Sequence, residues 1–334
     1  MKKRTDLQVL VAGCGSIGRR HLRNLKALGA RKLWAFDPSD KAFQKARSEV
    51  RNLERLLNLN DAKRAGIECA LICTPTAFHL KPAETLARQR IHLFIEKPVA
   101  HDSAKGKALV KLARANRLIT LTGCNYRFHP GIAAAKKAMA KGFIGRWISA
   151  RLEYGMYLPD WHPWEDYRFG YSARKGLGGG VLLDRIHEID LAGWLLGNPR
   201  RVVGFARRAS SLQIETEDNV EIIFEYPGNA LASIHLDYIK RNRTGRIEIT
   251  GEKGTLLFEF ENNRLSLHGP HGTKRLWQRA NYDWNKMYRD EITYFLNQVA
   301  AKRKTFYDAA DGLATVRLTE QVRLSDKLRK VVSA

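Results

Sequence analysis

Leu7-Gln8-Val9-Leu10-Val11-Ala12-Gly13-Cys14-Gly15-Ser16-Ile17-Gly18-Arg19-Arg20-His21-Leu22 is the stretch on which the fold turns. The run from Leu7 to Ala12 is apolar enough for a strand buried on both faces. Glycines then fall in the spacing G-x-G-x-x-G, and a helical pattern follows from Ile17 to Leu28, where Gly29 stops it. Strand, glycine turn and helix in that order suit a dinucleotide. Gly13 permits the tight turn, Gly15 lets the backbone approach a pyrophosphate, and Gly18 lets helix and strand pack closely, while Ser16 and Ile17 open the helix whose amides face the phosphates. Glycines at this spacing arise by chance in many chains, so the flanking elements carry the argument. The second strand of such a unit should end roughly 20 residues on in an acid for the adenosine ribose. Asp37 lies 19 residues after Gly18, directly behind Trp34-Ala35-Phe36. A carboxylate there binds ribose hydroxyls and repels a 2′-phosphate, so NAD is the expected cofactor, with Lys41 nearby leaving NADP open.

Outward from that unit, the first 124 residues alternate short apolar runs with helical patterns, the rhythm of a parallel sheet with crossover helices. Strands are expected at Leu7 to Ala12, Lys32 to Phe36, Ile67 to Cys73, Ile91 to Ile95 and Leu118 to Thr122. Helices are expected at Ile17 to Leu28, Ser39 to Arg47, Ala77 to Gln89 and Ser103 to Ala115. Between Val50 and Ala65 the pattern reads as helix around Leu53 to Leu57 and then a polar connection, with an extra strand undecided. After Cys124 a helix at Ile132 to Lys141 precedes alternating segments at Arg146 to Tyr157, Val202 to Ala209, Val220 to Tyr226, Ala230 to Tyr238, Arg246 to Thr250 and Thr255 to Phe260. Turn signals such as Pro227-Gly228-Asn229 separate them, which predicts an antiparallel sheet with one face packed and one open. Helices at Gly180 to Leu196, Trp284 to Ala301 and Asp311 to Leu328 can cover the packed face. The expected division is a Rossmann domain over 1–124 and an α+β domain over 125–334 that binds substrate and, through its open sheet face, a second copy of the chain.

Bulk properties narrow the function classes. The 334 residues are 44% hydrophobic and 28% charged, a globular balance, and no apolar run approaches the roughly 18 residues of a membrane helix. The basic start Met1-Lys2-Lys3-Arg4 leads into the glycine turn without a cleavage site, so a cytoplasmic location is expected. Cys14, Cys69, Cys73 and Cys124 form no C-x-x-C pair and read as buried thiols. With 58 basic and 34 acidic residues the net charge is +24, a field that attracts anions. The basic residues are spread along the chain without a nucleic-acid-binding signature, so solubility or attraction of a phosphorylated substrate is the better match.

Further motifs bring a family into view: Thr74-Pro75-Thr76 with His79, Glu96-Lys97-Pro98, Gly123-Cys124-Asn125-Tyr126-Arg127-Phe128-His129-Pro130, and Gly178-Gly179-Gly180 leading to Asp184-Arg185-Ile186-His187-Glu188-Ile189-Asp190. The chain resembles the glucose-fructose oxidoreductase, inositol dehydrogenase and MocA (Gfo/Idh/MocA) family over nearly its whole length. The resemblance implies a Rossmann domain followed by an α+β domain with a large open antiparallel sheet, hydride transfer at a sugar or cyclitol hydroxyl, and dimers or tetramers. It also implies that Thr74, Pro75, His79, Glu96 and Lys97 lie beside the cofactor.

Oxidising a secondary alcohol requires a hydride acceptor, a base for the hydroxyl proton and a cation near the forming oxyanion. His187 is the candidate base, because imidazole titrates near neutral pH, and Lys97 the candidate donor to the reacting oxygen. Glu96 would position the lysine. Asp184 stands three residues before His187 on what reads as one helix, where both can share a face. Many family members carry that acid four residues before the histidine, a departure that bears on Asp184. On the substrate side, the segment from Tyr154 to Tyr171 is rich in aromatics that stack on sugar rings, among them Tyr157, Trp161, Tyr167 and Tyr171. Arg127, Arg168 and Arg174 can hold carboxylate or phosphate, and Asn125-Tyr126-Arg127 follows the last Rossmann strand, at whose end ligands gather. The segment resembles family members of surface-polysaccharide sugar biosynthesis, which favours a sugar acid or nucleotide-linked sugar. The alternative is a dinucleotide-binding sensor of the same fold without the chemistry.

Overall fold

A computed structural model describes residues 3–161 and 163–334. Met1 and Lys2 of the basic start, and His162 of the aromatic segment, lie outside the described residues. The chain folds as two units, one of residues up to Asn125 with Trp284–Val316, the other of Tyr126–Asp283 with Arg317–Ala334. The segment expected as one second domain therefore contributes residues 284–316 to the first unit.

In the first unit β1 (Gln8–Ala12), α1 (Ser16–Ala27), β2 (Lys32–Phe36), α2 (Asp40–Glu49), β3 (Leu53–Arg55), β4 (Cys69–Ile72), α3 (Leu80–Arg88), β5 (His92–Glu96), α4 (Ser103–Ala115) and β6 (Thr120–Gly123) follow in turn. Their strands form a parallel sheet in the order β3-β2-β1-β4-β5-β6. The order reverses beside β1, and in such sheets the crevice at the carboxyl ends of the strands there receives ligands. Val9, Val11, Leu71, Phe94 and Leu121 pack in one buried cluster with Leu22 and Leu25 of α1. Each large apolar side chain buried there contributes roughly 1.5–3 kcal/mol. Local chemistry sets the helix starts: Ser39 Oγ accepts from the Ala42 amide at α2, and the Asp102 carboxylate from the Lys105 amide at α4. The helix expected around Leu53 to Leu57 is instead β3, with Leu53 paired to Leu33 and Leu57 exposed. Parallel pairing with a distant strand overrides a leucine spacing that, read locally, looks helical.

The second unit contains α5 (Pro130–Ala140), β7 (Trp147–Gly155), α6 (Val181–Asp184), α7 (Ile186–Leu196), β8 (Arg201–Arg207), β9 (Asn219–Glu225), β10 (Leu231–Asp237), β11 (Thr244–Gly251), β12 (Gly254–Glu259), β13 (Arg264–Gly269) and β14 (Gly272–Gln278). Helix α8 (Asn285–Ala301) returns to the first unit, and the chain closes with α9 (Ala309–Leu328) and β15 (Val332–Ser333). Among the described residues the sheet has nine strands in the order β14-β13-β12-β11-β7-β10-β9-β8-β15. Its pairs are antiparallel except β7 with β10, which run parallel, so the sheet is mostly rather than wholly antiparallel. Strands β13 to β15 lay outside the expected set. Alternation places Val220, Ile222, Phe224, Ile234, Leu236, Ile247 and Ile249 inward. The opposite side leaves Phe205, Ile223 and Leu231 about half exposed.

The candidate active site

The first unit supplies the glycine turn. Gly13 has φ +101°, and a Cβ there would lie 2.7 Å from the backbone of Cys73 and Thr74 at the end of β4. A Cβ on Gly18 would lie 1.9 Å from the Gly13 carbonyl oxygen, so helix and turn are in direct backbone contact. At Gly15 a Cβ would meet nothing within 4 Å, and no side chain caps the α1 N-terminus opened by Ser16 and Ile17. Closed packing at Gly13 and Gly18 with open space at Gly15 is the form of a pyrophosphate cradle. Asp37 ties the end of β2 to this turn: Oδ2 accepts from the Cys14 amide at 2.7 Å and Oδ1 from the Ser39 amide at 2.8 Å. Burial and then the Asp37 charge push the Cys14 thiol up to about 12, so the carboxylate faces a neutral neighbour.

At the carboxyl ends of β4 and β6, Thr74 Oγ1 and Asn125 Oδ1 are buried and have no hydrogen-bond partner among the described residues. Orphaned polar atoms at that edge of a parallel sheet fit a polar ligand. His79 is placed otherwise. Its Nδ1 lies 2.8 Å from the Pro98 carbonyl and its Nε2 2.7 Å from that of Thr74, so it clamps the turns after β4 and β5, with Pro75 opening the short helical turn between. Burial pushes this imidazole below its ordinary range despite the two carbonyls, and the neutral ring donates to one of them at a time. Glu96 ends β5; its Oε1 lies 2.6 Å from His21 Nε2, and its Oε2 accepts the Lys97 amide at 3.2 Å. His21, on the inward face of α1, escaped the sequence reading. Its place among Gly18, Leu22 and Leu25 is the signal that could have found it.

In the second unit the helix expected to run from Gly180 to Leu196 breaks at Arg185 (φ −98°, ψ 31°) into α6 and α7. Asp184 thus ends one helix and His187 lies in the first turn of the next, which corrects the single helix expected to carry both. Asp184 Oδ2 accepts from Ser172 Oγ at 2.6 Å and Tyr238 Oη at 3.0 Å. Burial and then the Asp184 charge push the Tyr238 phenol well up, which keeps it a donor. The buried His187 ring stacks on Tyr126 at 4.6 Å between centroids. Arg185 lies between its neighbours as a cation, paired with Glu188 at 2.5 Å and over the Tyr154 ring at 3.3 Å. Burial alone would depress its pKa, but Glu188 and then Tyr126 and Tyr154 hold it up.

Arg127, expected to hold a substrate anion, is engaged by Asp190: Nε donates at 3.0 Å and Nη2 at 2.7 Å. Of the aromatic segment, Trp161 is built in, its Nε1–H donating to the Met156 carbonyl at 3.2 Å and its ring edge-on to Tyr238. Tyr157 carries Arg241 over its ring at 3.6 Å, and Tyr167 Oη accepts from the Gln213 amide at 3.3 Å. Tyr171 stands next to Ser172 in a short helical turn, while Arg168 is exposed and paired with Asp166 at 2.6 Å.

Residues 7–123 match a family profile described as an oxidoreductase family with an NAD-binding Rossmann fold, and residues 132–257 one described as the GFO/IDH/MocA C-terminal domain. Levoglucosan dehydrogenase of Pseudarthrobacter phenanthrenivorans is 27% identical over 219 residues, which take in 57% of this chain and 55% of that one, so the match spans about half of that relative's length. UDP-N-acetylglucosamine 3-dehydrogenase of Acidithiobacillus ferrooxidans is 25% identical over 328 residues, covering 94% of this chain and 96% of its own. A levoglucosan dehydrogenase solved with NADH and levoglucosan superposes with a TM-score of 0.87 at 20% identity, covering 98% of this chain and 99% of that one, a likeness of fold.

Proposed function

The chain belongs to the Gfo/Idh/MocA oxidoreductase family, and from that premise we propose that it transfers a hydride between NAD and a secondary hydroxyl or ketone of a sugar, sugar acid or nucleotide-linked sugar. The observation that carries the reading is the pairing of an open glycine cradle after β1 with Glu96-Lys97 at the end of β5 in the same parallel sheet. Relatives named for levoglucosan and UDP-N-acetylglucosamine support a sugar as the substrate class.

The amides around Gly13, Gly15, Ser16, Ile17 and Gly18 would hold the pyrophosphate and Asp37 the ribose, with Thr74, Pro75 and Glu96 beside the cofactor. When bound, NAD supplies the hydride acceptor. Lys97 Nζ donates a hydrogen bond to the reacting oxygen and stabilises its developing charge. His187 takes the hydroxyl proton and returns it in the reverse direction. Asp184 is held by Ser172 and Tyr238, which fixes its carboxylate for a substrate hydroxyl. Asn125, Tyr126, Tyr157, Trp161, Tyr167, Arg168 and Tyr171 are the proposed substrate contacts. The four cysteines are free and buried, in keeping with a cytoplasmic enzyme, and no helix among the described residues is long and apolar enough to cross a membrane.

The test follows NADH absorbance against free sugars, sugar acids and nucleotide sugars. Lys97→Ala is expected to lower turnover roughly 10²–10⁴-fold while NAD affinity stays within about threefold of the unaltered protein. A Lys97→Ala enzyme that turns over normally removes Lys97 from the reaction. Silence across the whole panel overturns the sugar reading.

A further inference from the structure

Glu291 lies on α8 among Met287, Ile292, Phe295 and Leu296, at 0% exposure, where a leucine would be the ordinary choice. Neither of its carboxylate oxygens has a hydrogen-bond partner among the described residues. An unpaired charge so placed is very unfavourable, and a carboxyl in that situation takes up a proton. Its surroundings are specific: a carboxylate oxygen of Glu291, one of Glu96 and a ring nitrogen of His21 all lie within 4.8 Å of one another. Glu96 in turn holds the His21 imidazole on one oxygen and the Lys97 amide on the other.

We propose that Glu291 is a positioning residue that stays a neutral acid and donates toward Glu96, leaving one negative charge in the buried trio to hold His21 and the start of the Glu96-Lys97 turn. The donation needs a small side-chain rotation or one bridging water. Its importance for catalysis rests on the dehydrogenase reading, through Lys97; its protonation state does not.

The electrostatics of the neighbours agree. Burial, and then the Glu96 charge, push the Glu291 carboxyl well above the usual carboxylate range. Burial would raise Glu96 too, but the His21 hydrogen bond and charge, then Lys97, bring it below its ordinary value. Directly after β4, Cys73 faces the same trio as a neutral thiol, pushed well up by burial and then by the Glu96 charge. From α8, the Tyr288 ring stands 6.1 Å from that of His21, with the Arg20 guanidinium 4.6 Å above it. Two carboxyls of opposite tendency a few ångströms apart share one proton, and the more isolated one keeps it.

The full chain is compared with Glu291→Gln and Glu291→Leu at mildly alkaline pH. The infrared C=O band of a protonated carboxyl is expected in the unaltered protein and absent from Glu291→Gln. Glu291→Gln, a neutral donor of the same shape, should keep NADH affinity and turnover within about twofold, whereas Glu291→Leu should lower kcat about tenfold and shift the ¹⁵N resonances of His21. Absence of the acid band, or Glu291→Gln as damaging as Glu291→Leu, would overturn the proposal. So would a stoichiometric divalent ion lost on Glu291→Gln, because an imidazole and two carboxylates also make a ligand set. Should Glu291→Leu fail to fold, the infrared band and Glu291→Gln still decide. If no sugar reacts, the dehydrogenase reading falls while the infrared, His21 and NADH-binding results stand on their own.

Discussion

Arg127 donates from two nitrogens to Asp190, and with side-chain exposures of 8% and 1% neither partner can turn to water instead. Removing the guanidinium would leave a buried carboxylate uncompensated, a loss of about 3–5 kcal/mol. Denaturant unfolding of Arg127→Leu should show that loss, with the KM for the sugar little changed in the folded fraction. Unchanged stability with a raised KM would return Arg127 to the substrate. The residues legible in the sequence were those whose chemistry is local. Gly13 and Gly18 are required by a turn a few residues long, and Lys97 directly follows a strand. His21 and Glu291 read as ordinary members of two helix patterns, because nothing near either in the chain announces the other.

Helix α5 starts on a titratable cap. His129 Nδ1 accepts from the amides of Gly131 at 3.1 Å and Ile132 at 3.4 Å, which it can do only while unprotonated. The ring is packed edge-on against Phe258, Trp277 and Tyr282. Burial lowers its pKa from 6.5 to about 4, with Asn263 opposing. The unfolded chain therefore binds a proton first as pH falls. Stability from this group is present above about 6.5 and lost as pH drops toward 4, in total on the order of 3 kcal/mol. Urea midpoints across that window should fall more steeply in the unaltered protein than in His129→Asn, which keeps a capping acceptor without the titration. Equal slopes would mean that another group is responsible. At this scale the sequence placed most helices and the longer strands by period, but missed β3 and β13 to β15. Their pairing partners, such as Leu33 for Leu53, supply what their short or irregular patterns lack.

The whole chain carries +24 and still presents Phe205, Ile223 and Leu231 on the open side of the nine-stranded sheet. We propose that a second copy of the chain covers this face, since a half-exposed apolar row on paired strands gains most from burial against a similar surface. Sedimentation at physiological salt, where charges beyond about 8 Å are screened, should show a dimer or tetramer that Ile223→Asp converts to monomer. The substitution reduces the net positive charge, so dissociation would follow from the buried carboxylate. A monomeric unaltered protein, or an assembly indifferent to Ile223→Asp, would dismiss this interface.

By itself the sequence determined the Rossmann unit, its cofactor class and the strand end that carries Glu96 and Lys97, because glycine geometry, hydrophobic period and an acid at fixed distance act over a few residues each. Only the tertiary structure decided that residues 284–316 belong with the first unit, that the Asp184–His187 helix breaks at Arg185, that Arg127 is spent on Asp190, and that Glu291 is buried beside Glu96 and His21. Burial and ion pairing depend on which distant segments meet. The same arginine or glutamate reads as a solvated charge until packing removes the water around it.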